Sequence, residues 1–191
     1  MTIIEKRKIQ KRSSLLLKTL YRRKSLSWKM DYLRKKQVFH HLGTGVHFYS
    51  NIPSDAFLVS IGNNVIIAAG CEFITHDIFY HVLNLDYAHL GKFYPYFKPI
   101  VIEDNVCIGG FSKIMPGVKI GRHSIVAGGS VVTKDVPEGV IVGGNPAKVI
   151  GTVEALATKR ANGDVPHFTV ADDAATVAET LLKRFEEQRK Q

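Results

Sequence analysis

The chain has 191 residues, 45% of them hydrophobic, two cysteines and a formal net charge of +9. That length suits one domain with appended segments. Cys71 and Cys107 make no disulfide framework, and no apolar run approaches the roughly 18 residues of a membrane span. The charge is one-sided, because residues 1–40 hold thirteen Lys or Arg against Glu5 and Asp31, which gives the arm +11 and leaves −2 for the rest.

Residues 3–38 read as one or two helices, with Ile9, Leu16, Leu20, Trp28, Tyr32 and Leu33 forming partial apolar faces among Lys and Arg. A basic arm of this kind can lie on an anionic leaflet, attract an acidic glycan, or simply pack over the rest of the fold. It brings no nucleic-acid reading module, so no nucleic-acid partner is expected. LLLKTL is too short and interrupted for a signal-peptide core, so a cytoplasmic protein is predicted, with peripheral contact to the inner membrane face through residues 1–40. Composition alone predicts that the arm is dispensable for chemistry on a small neutral substrate.

A period of six governs the middle of the chain. Ile102, Ile108, Ile114, Ile120, Val126 and Val132 stand six apart, and four residues after each come Val106, Ser112, Val118, Ser124, Ser130 and Val136. Neither a helix nor an alternating strand gives that spacing. It is the signature of a solenoid with one short strand per hexapeptide and three hexapeptides per triangular coil, aliphatics inward. Upstream the phase is predicted at Val46, Ile52 and Leu58, slipping by three to Ile61, Ile67 and Phe73 near PSDAF. Between Phe73 and Ile102 lie 29 positions, not a multiple of six, so residues 77–99 leave the coil as an excursion rich in Tyr and Phe. After Pro137 the phase fails, a last half-coil ends near GGNPAKVIG, and a helical tail comes next. There Thr169 and Asp172 suggest a capping box, with Val170, Ala174, Val177, Leu181 and Phe185 as an apolar stripe. The predicted organisation is a basic helical arm over 1–44, an all-β solenoid over 45–151 with the excursion 77–99, and a helical segment over 152–191.

His76 stands where the coil gives way to the excursion, which puts it at a rim. An imidazole has a reference value of about 6.5 and so can serve as a neutral base near pH 7. Asp77 could orient it, although adjacent side chains on an extended chain point to opposite faces. Gly109, Gly110, Gly128 and Gly129 leave coil corners bare, so that an extended carrier can lie against the backbone.

The runs IGNNVIIAAGCEFITHD and VCIGGFSKIMPGVKIGRHSIVAGGSVVTKDVPEGVIVGGNPAKVI resemble the hexapeptide-repeat acyltransferases, in their sugar O-acetyltransferase branch. The resemblance implies a left-handed parallel β-helix assembled as a homotrimer, an acetyl-CoA donor, a sugar or glycan acceptor from surface-polysaccharide synthesis, and no metal. Carried over residue by residue, it implies that His76 is the catalytic base and that Asp55 and Asn51 meet the acceptor. Gly110 and Gly128 would line the pantetheine groove, with Thr133, Lys134 and Lys148 toward the nucleotide phosphates. Cys107 stands where many relatives carry Trp, and Gly151 where a basic residue is common. Two other readings remain open: a carbonic-anhydrase-like metal hydratase using His76 and His81, and a non-catalytic scaffold at a membrane surface.

Overall fold

Two helices come first in the computed structural model, which describes all residues except 164–167, 170, 190 and 191. Helix α1 (Ile3–Lys18) starts at a capping box, the Thr2 hydroxyl accepting from Glu5 N and the Glu5 carboxylate accepting from Thr2 N. Helix α2 (Leu26–Lys35) is capped by Ser25, which accepts from Trp28 N at 3.2 Å. The strands after it are mostly two residues long: β1 (His41–Leu42), β2 (His47–Phe48), β3 (Val59–Ile61), β4 (Ile66–Ile67), β5 (Glu72–Phe73), β6 (Ile100–Ile102), β7 (Cys107–Ile108), β8 (Lys113–Ile114), β9 (Lys119–Ile120), β10 (Ile125–Val126) and β11 (Val131–Val132).

Pairing turns these short strands into three parallel ladders that the chain visits in rotation. One rung set aligns Leu42, Ile61, Ile102, Ile120 and, through an isolated bridge, Val136. A second aligns Phe48, Ile67, Ile108, Val126 and Val142, and a third Phe73, Ile114 and Val132. In the regular part, partners such as Ile108 and Val126 are three hexapeptides apart, so three six-residue sides close one turn of a coil. All these residues are buried, as are the fifth-place residues from Val106 to Val136. The serines at that place are tolerated because each hydroxyl donates to a corner carbonyl: Ser112 to Gly109 O at 2.8 Å, Ser124 to Pro137 O at 2.7 Å and Ser130 to Ala127 O at 2.5 Å. Corners are equally tight. A Cβ on Gly121 would sit 2.7 Å from Glu138 N, which leaves room for hydrogen alone.

The first coil departs from the expected phase. Its inward residues are Leu42 and Phe48, and Val46 is the fifth-place residue after Leu42 rather than the first of a repeat. Ile52 and Leu58 are only half-buried. From Phe48 to Ile61 is one residue more than two repeats, and a 3-10 turn at Ala56–Leu58 stands where the third side would carry a strand. The expected slip of three is therefore a single inserted residue, and it falls beside Asp55.

The helical arm packs on this first coil. Met30 and Leu33 of α2 are buried in the common core, and Arg34 donates to Leu42 O at 3.0 Å and Gly43 O at 2.5 Å. Helix α1 buries Gln10 and Ser13, and Leu20, expected on an apolar helix face, lies beyond its end and is 74% exposed. At the far end β12 (Val140–Gly144) pairs in parallel with β10 and then folds back antiparallel as β13 (Ala147–Thr152), around a cis Asn145–Pro146 bond. The excursion contains a helix, α3 (Tyr80–Asp86), that the periodicity does not reveal.

Met1–Val153 make one compact unit and Glu154–Gln191 a second, built from most of α4 (Val153–Ala161) and α5 (Ala174–Gln188). Helix α5 is capped by Asp173, which accepts from Thr176 N at 2.9 Å, so the capping residue lies one place beyond the predicted box. Of the predicted stripe, Val170 lies outside the described residues.

Inward and outward positions on one ladder differ sharply in what they support. Ile108 is fully buried while Ile66, on the neighbouring strand, is 46% exposed. Ile108→Ala is expected to lower unfolding free energy in urea by about 2–5 kcal/mol, and Ile66→Ala by about 0.5 kcal/mol or less; equal effects would contradict the inward assignment.

Candidate active site

The inserted residue in the first coil turns Asp55 inward. Its side chain is 0% exposed, and an isolated carboxylate so placed would be costly unless paired. Besides the neighbouring Ser54 hydroxyl, which donates to Oδ2 at 3.5 Å, three groups meet it. Arg7 Nε of α1 donates to Oδ1 at 2.6 Å, Thr75 Oγ1 donates to Oδ2 at 3.3 Å, and His76 Nδ1 lies 2.8 Å from Oδ2. The His76 contact is close, but Nδ1 makes no aligned hydrogen bond there. On the other side of the pair, the hydrogen bond to Asp55 raises the Arg7 guanidinium above its ordinary value.

The return of the excursion fixes the backbone around His76. Lys98 N donates to Thr75 O at 2.8 Å, Asp77 N donates to Tyr96 O at 3.3 Å, and His76 and Phe97 form an antiparallel bridge. The His76 and Phe97 rings stand 5.1 Å apart, and the Arg7 guanidinium lies 6.0 Å from the Phe97 ring centre. In front of the imidazole opens a cleft of about 410 Å³, walled by Phe79, Tyr96, Lys98, Met115 and Pro116. Lys98 Nζ lies 5.2 Å from the Tyr96 ring centre. The arrangement offers an imidazole with a buried carboxylate behind one nitrogen and an open, largely apolar cleft in front, which suits proton transfer to or from a bound hydroxyl.

The other expected residues fall in several places. Asp55, expected to meet an acceptor, is fully buried here, with Oδ1 engaged by Arg7 and Oδ2 facing Thr75 and His76. Asn51 lines a different cavity of about 350 Å³, between α1, α2 and β2. Asp77 accepts from Phe79 N at 3.3 Å and shapes the start of the excursion. Gly110 and Gly128 occupy successive steps of one corner, where a Cβ on Gly128 would meet Gly110 O at 3.2 Å. Thr133 and Lys134 come directly after β11 and Lys148 lies on β13, all three exposed. The His81 ring centre lies 4.1 Å from that of Tyr80, the two rings tilted by 31°. Among the described residues no three His, Cys, Asp or Glu converge as a metal cage. Neither thiol is activated, since burial pushes both Cys71 and Cys107 up. Arg7, Thr75, Phe97 and Lys98 were not legible as site residues. Arg7 is one of thirteen basic residues in the arm and lies 48 positions from its partner.

Residues 99–134 match the family described as bacterial transferase hexapeptide (six repeats). Residues 99–134 therefore carry the hexapeptide repeats, and several similar proteins are named as acetyltransferases. It is 42% identical over 110 residues to Protein CapG of Staphylococcus aureus, covering 58% of this chain and 62% of that one. With the galactoside O-acetyltransferase of Escherichia coli it shares 37% identity over 120 residues, 59% of this chain and 57% of that one. The chain thus spans less than two thirds of the length of these curated relatives. Among solved structures, a hexapeptide-repeat-containing acetyltransferase of Vibrio cholerae in complex with acetyl coenzyme A superposes with a TM-score of 0.56 at 28% identity, covering 79% of this chain and 88% of that one. No helix among the described residues is long and apolar enough to cross a membrane.

Proposed function

We propose that this protein is an acetyl-CoA-dependent O-acetyltransferase of left-handed β-helix architecture that transfers acetyl to a sugar hydroxyl, with His76 as general base. The observation that carries this reading is the buried Asp55 carboxylate 2.8 Å from His76 Nδ1, at the back of an open cleft. Support comes also from the acetyl-CoA complex of the Vibrio relative and from the galactoside acceptor in the name of the Escherichia coli one.

In this mechanism Asp55 holds the ring so that Nε2 faces the acceptor. The imidazole takes the hydroxyl proton as the oxygen attacks the thioester carbonyl. The tetrahedral intermediate then collapses, the C–S bond breaks, and the imidazolium returns the proton to the departing thiolate. Phe79 and Tyr96 offer flat faces to a sugar ring. The bare corner at Gly110 and Gly128 admits the pantetheine arm, and Thr133, Lys134 and Lys148 meet the phosphates, lysines serving as point charges. The acceptor class is a surface-polysaccharide precursor, the compartment the cytoplasm where acetyl-CoA is made, and the assembly a homotrimer with sites between subunits.

His76→Ala is expected to lower kcat for thiol release by about 10²- to 10⁴-fold with little change in KM for acetyl-CoA, and His81→Ala to be mild. Near-normal turnover in His76→Ala, on an acceptor the parent protein uses, would sink the mechanism. Replacing Lys134 and Lys148 together by Ala should raise KM for acetyl-CoA more than it lowers kcat, because these contacts are remote from the thioester; an unchanged KM puts the phosphates elsewhere. Sedimentation at micromolar concentration should give a trimer, and a stable monomer overturns the shared-site assembly.

A further inference from the structure

We infer that Arg7, delivered by α1, is a positioning residue for the active site: it holds the outer oxygen of Asp55 and balances its charge, so that the inner oxygen orients His76 without trapping it as imidazolium. This rests on His76 being the base.

A charge in a dry place needs a partner. Asp55 is fully buried, and a buried carboxylate beside an imidazole stabilises the protonated ring. A base that is already protonated cannot accept a proton. Arg7, its side chain 44% exposed, offsets that field through a single contact, Nε to Oδ1 at 2.6 Å, with its guanidinium carbon 6.0 Å from the Phe97 ring centre. The helix that carries it is itself tied down nearby. Gln10, one turn on, donates to Pro53 O in the same corner as Asp55, and Lys6 Nζ donates to Gln37 O at 3.2 Å. Both polar anchors of α1 therefore flank Arg7. The helix also packs Ile9 and Leu17, partly buried, against the core, while its fully buried residues, Gln10 and Ser13, are polar. The arm is thus not separable from the site, contrary to what its composition suggests. The other charged or titratable groups around His76 are Asp77, Lys98 and Tyr96, which line the cleft and stay constant when Arg7 is changed.

The test compares Arg7→Gln, which removes the charge, with Arg7→Lys, which keeps it, and with Lys11→Gln, an exposed change of the same charge on the same helix. Acetyl transfer is followed from pH 6 to 9, and the histidine ring nitrogens are titrated by NMR, with the His76 signal assigned by its loss in His76→Gln. In Arg7→Gln the acid limb of kcat should move up by about one pH unit, so that turnover falls roughly tenfold at pH 6 and converges on the parent near pH 9. KM for acetyl-CoA should not change, and the ring signal should titrate later by the same interval. Arg7→Lys should keep the parental acid limb at reduced turnover, and Lys11→Gln should match the parent throughout. A uniform loss at every pH in Arg7→Gln, or no loss, overturns the inference. Should Arg7→Gln not fold, a displaced acid limb in Arg7→Lys overturns it equally. Should the parent transfer no acetyl group to any sugar, the ring titration still decides the role of Arg7, and it is the proposed function that fails.

Discussion

Two residues of strand per side give each turn of the coil too few hydrogen bonds and too little buried area to stand alone. Stability comes only from stacking, because each inward residue rests on the ones above and below it in register. Ile108 lies between Ile67 and Val126, and Ile102 between Ile61 and Ile120. The backbone bonds obey the same logic, Gly109 N donating to Val126 O at 2.8 Å and Met115 N to Val132 O at 3.0 Å across successive turns. Register is then not negotiable. A residue gained or lost within a side rotates every later side chain away from its rung.

The chain breaks that rule at two points, and the candidate site lies between them. One extra residue near Asp55 replaces a strand by a 3-10 turn and puts a carboxylate where the neighbouring turns of the coil carry aliphatics. The excursion after His76 interrupts the third side of the next turn and returns through Phe97 and Lys98. Both departures cost regular pairing. What they provide is a charged pair held by walls that the uninterrupted ladders keep rigid, which is how strained or irregular elements persist at sites of chemistry.

Much of this was readable in the amino-acid order and some of it was not, for physical reasons. The run from Ile102 to Val136 announces its own geometry, since six linked pairs at a fixed spacing admit one kind of packing. Val46 misled because both the first and the fifth place of a repeat are apolar, and with a single inserted residue downstream the two phases cannot be told apart without the partner strand. His76 could be singled out by its position at the end of a repeat. The burial of Asp55 could not, since an acidic residue after Pro and Ser reads as a turn. Arg7 was beyond reach, because a long-range pair between one of many lysines and arginines and one of many carboxylates leaves no local trace.

A ladder of parallel strands has two open ends, and each is a template on which another copy of the same ladder could grow. Here the ends are closed by elements of a different kind. Over β1 and β2 lies α2, whose Met30 and Leu33 fill the space another coil would take, while Arg34 occupies the carbonyls of Leu42 and Gly43. Beyond β12 the chain reverses, and β13 covers that strand in an antiparallel pairing that is irregular at Ile141 and Val142 of β12. Two copies meeting end to end find no matching register at either face. The same segments that finish the fold therefore keep a stacking architecture from becoming a fibre.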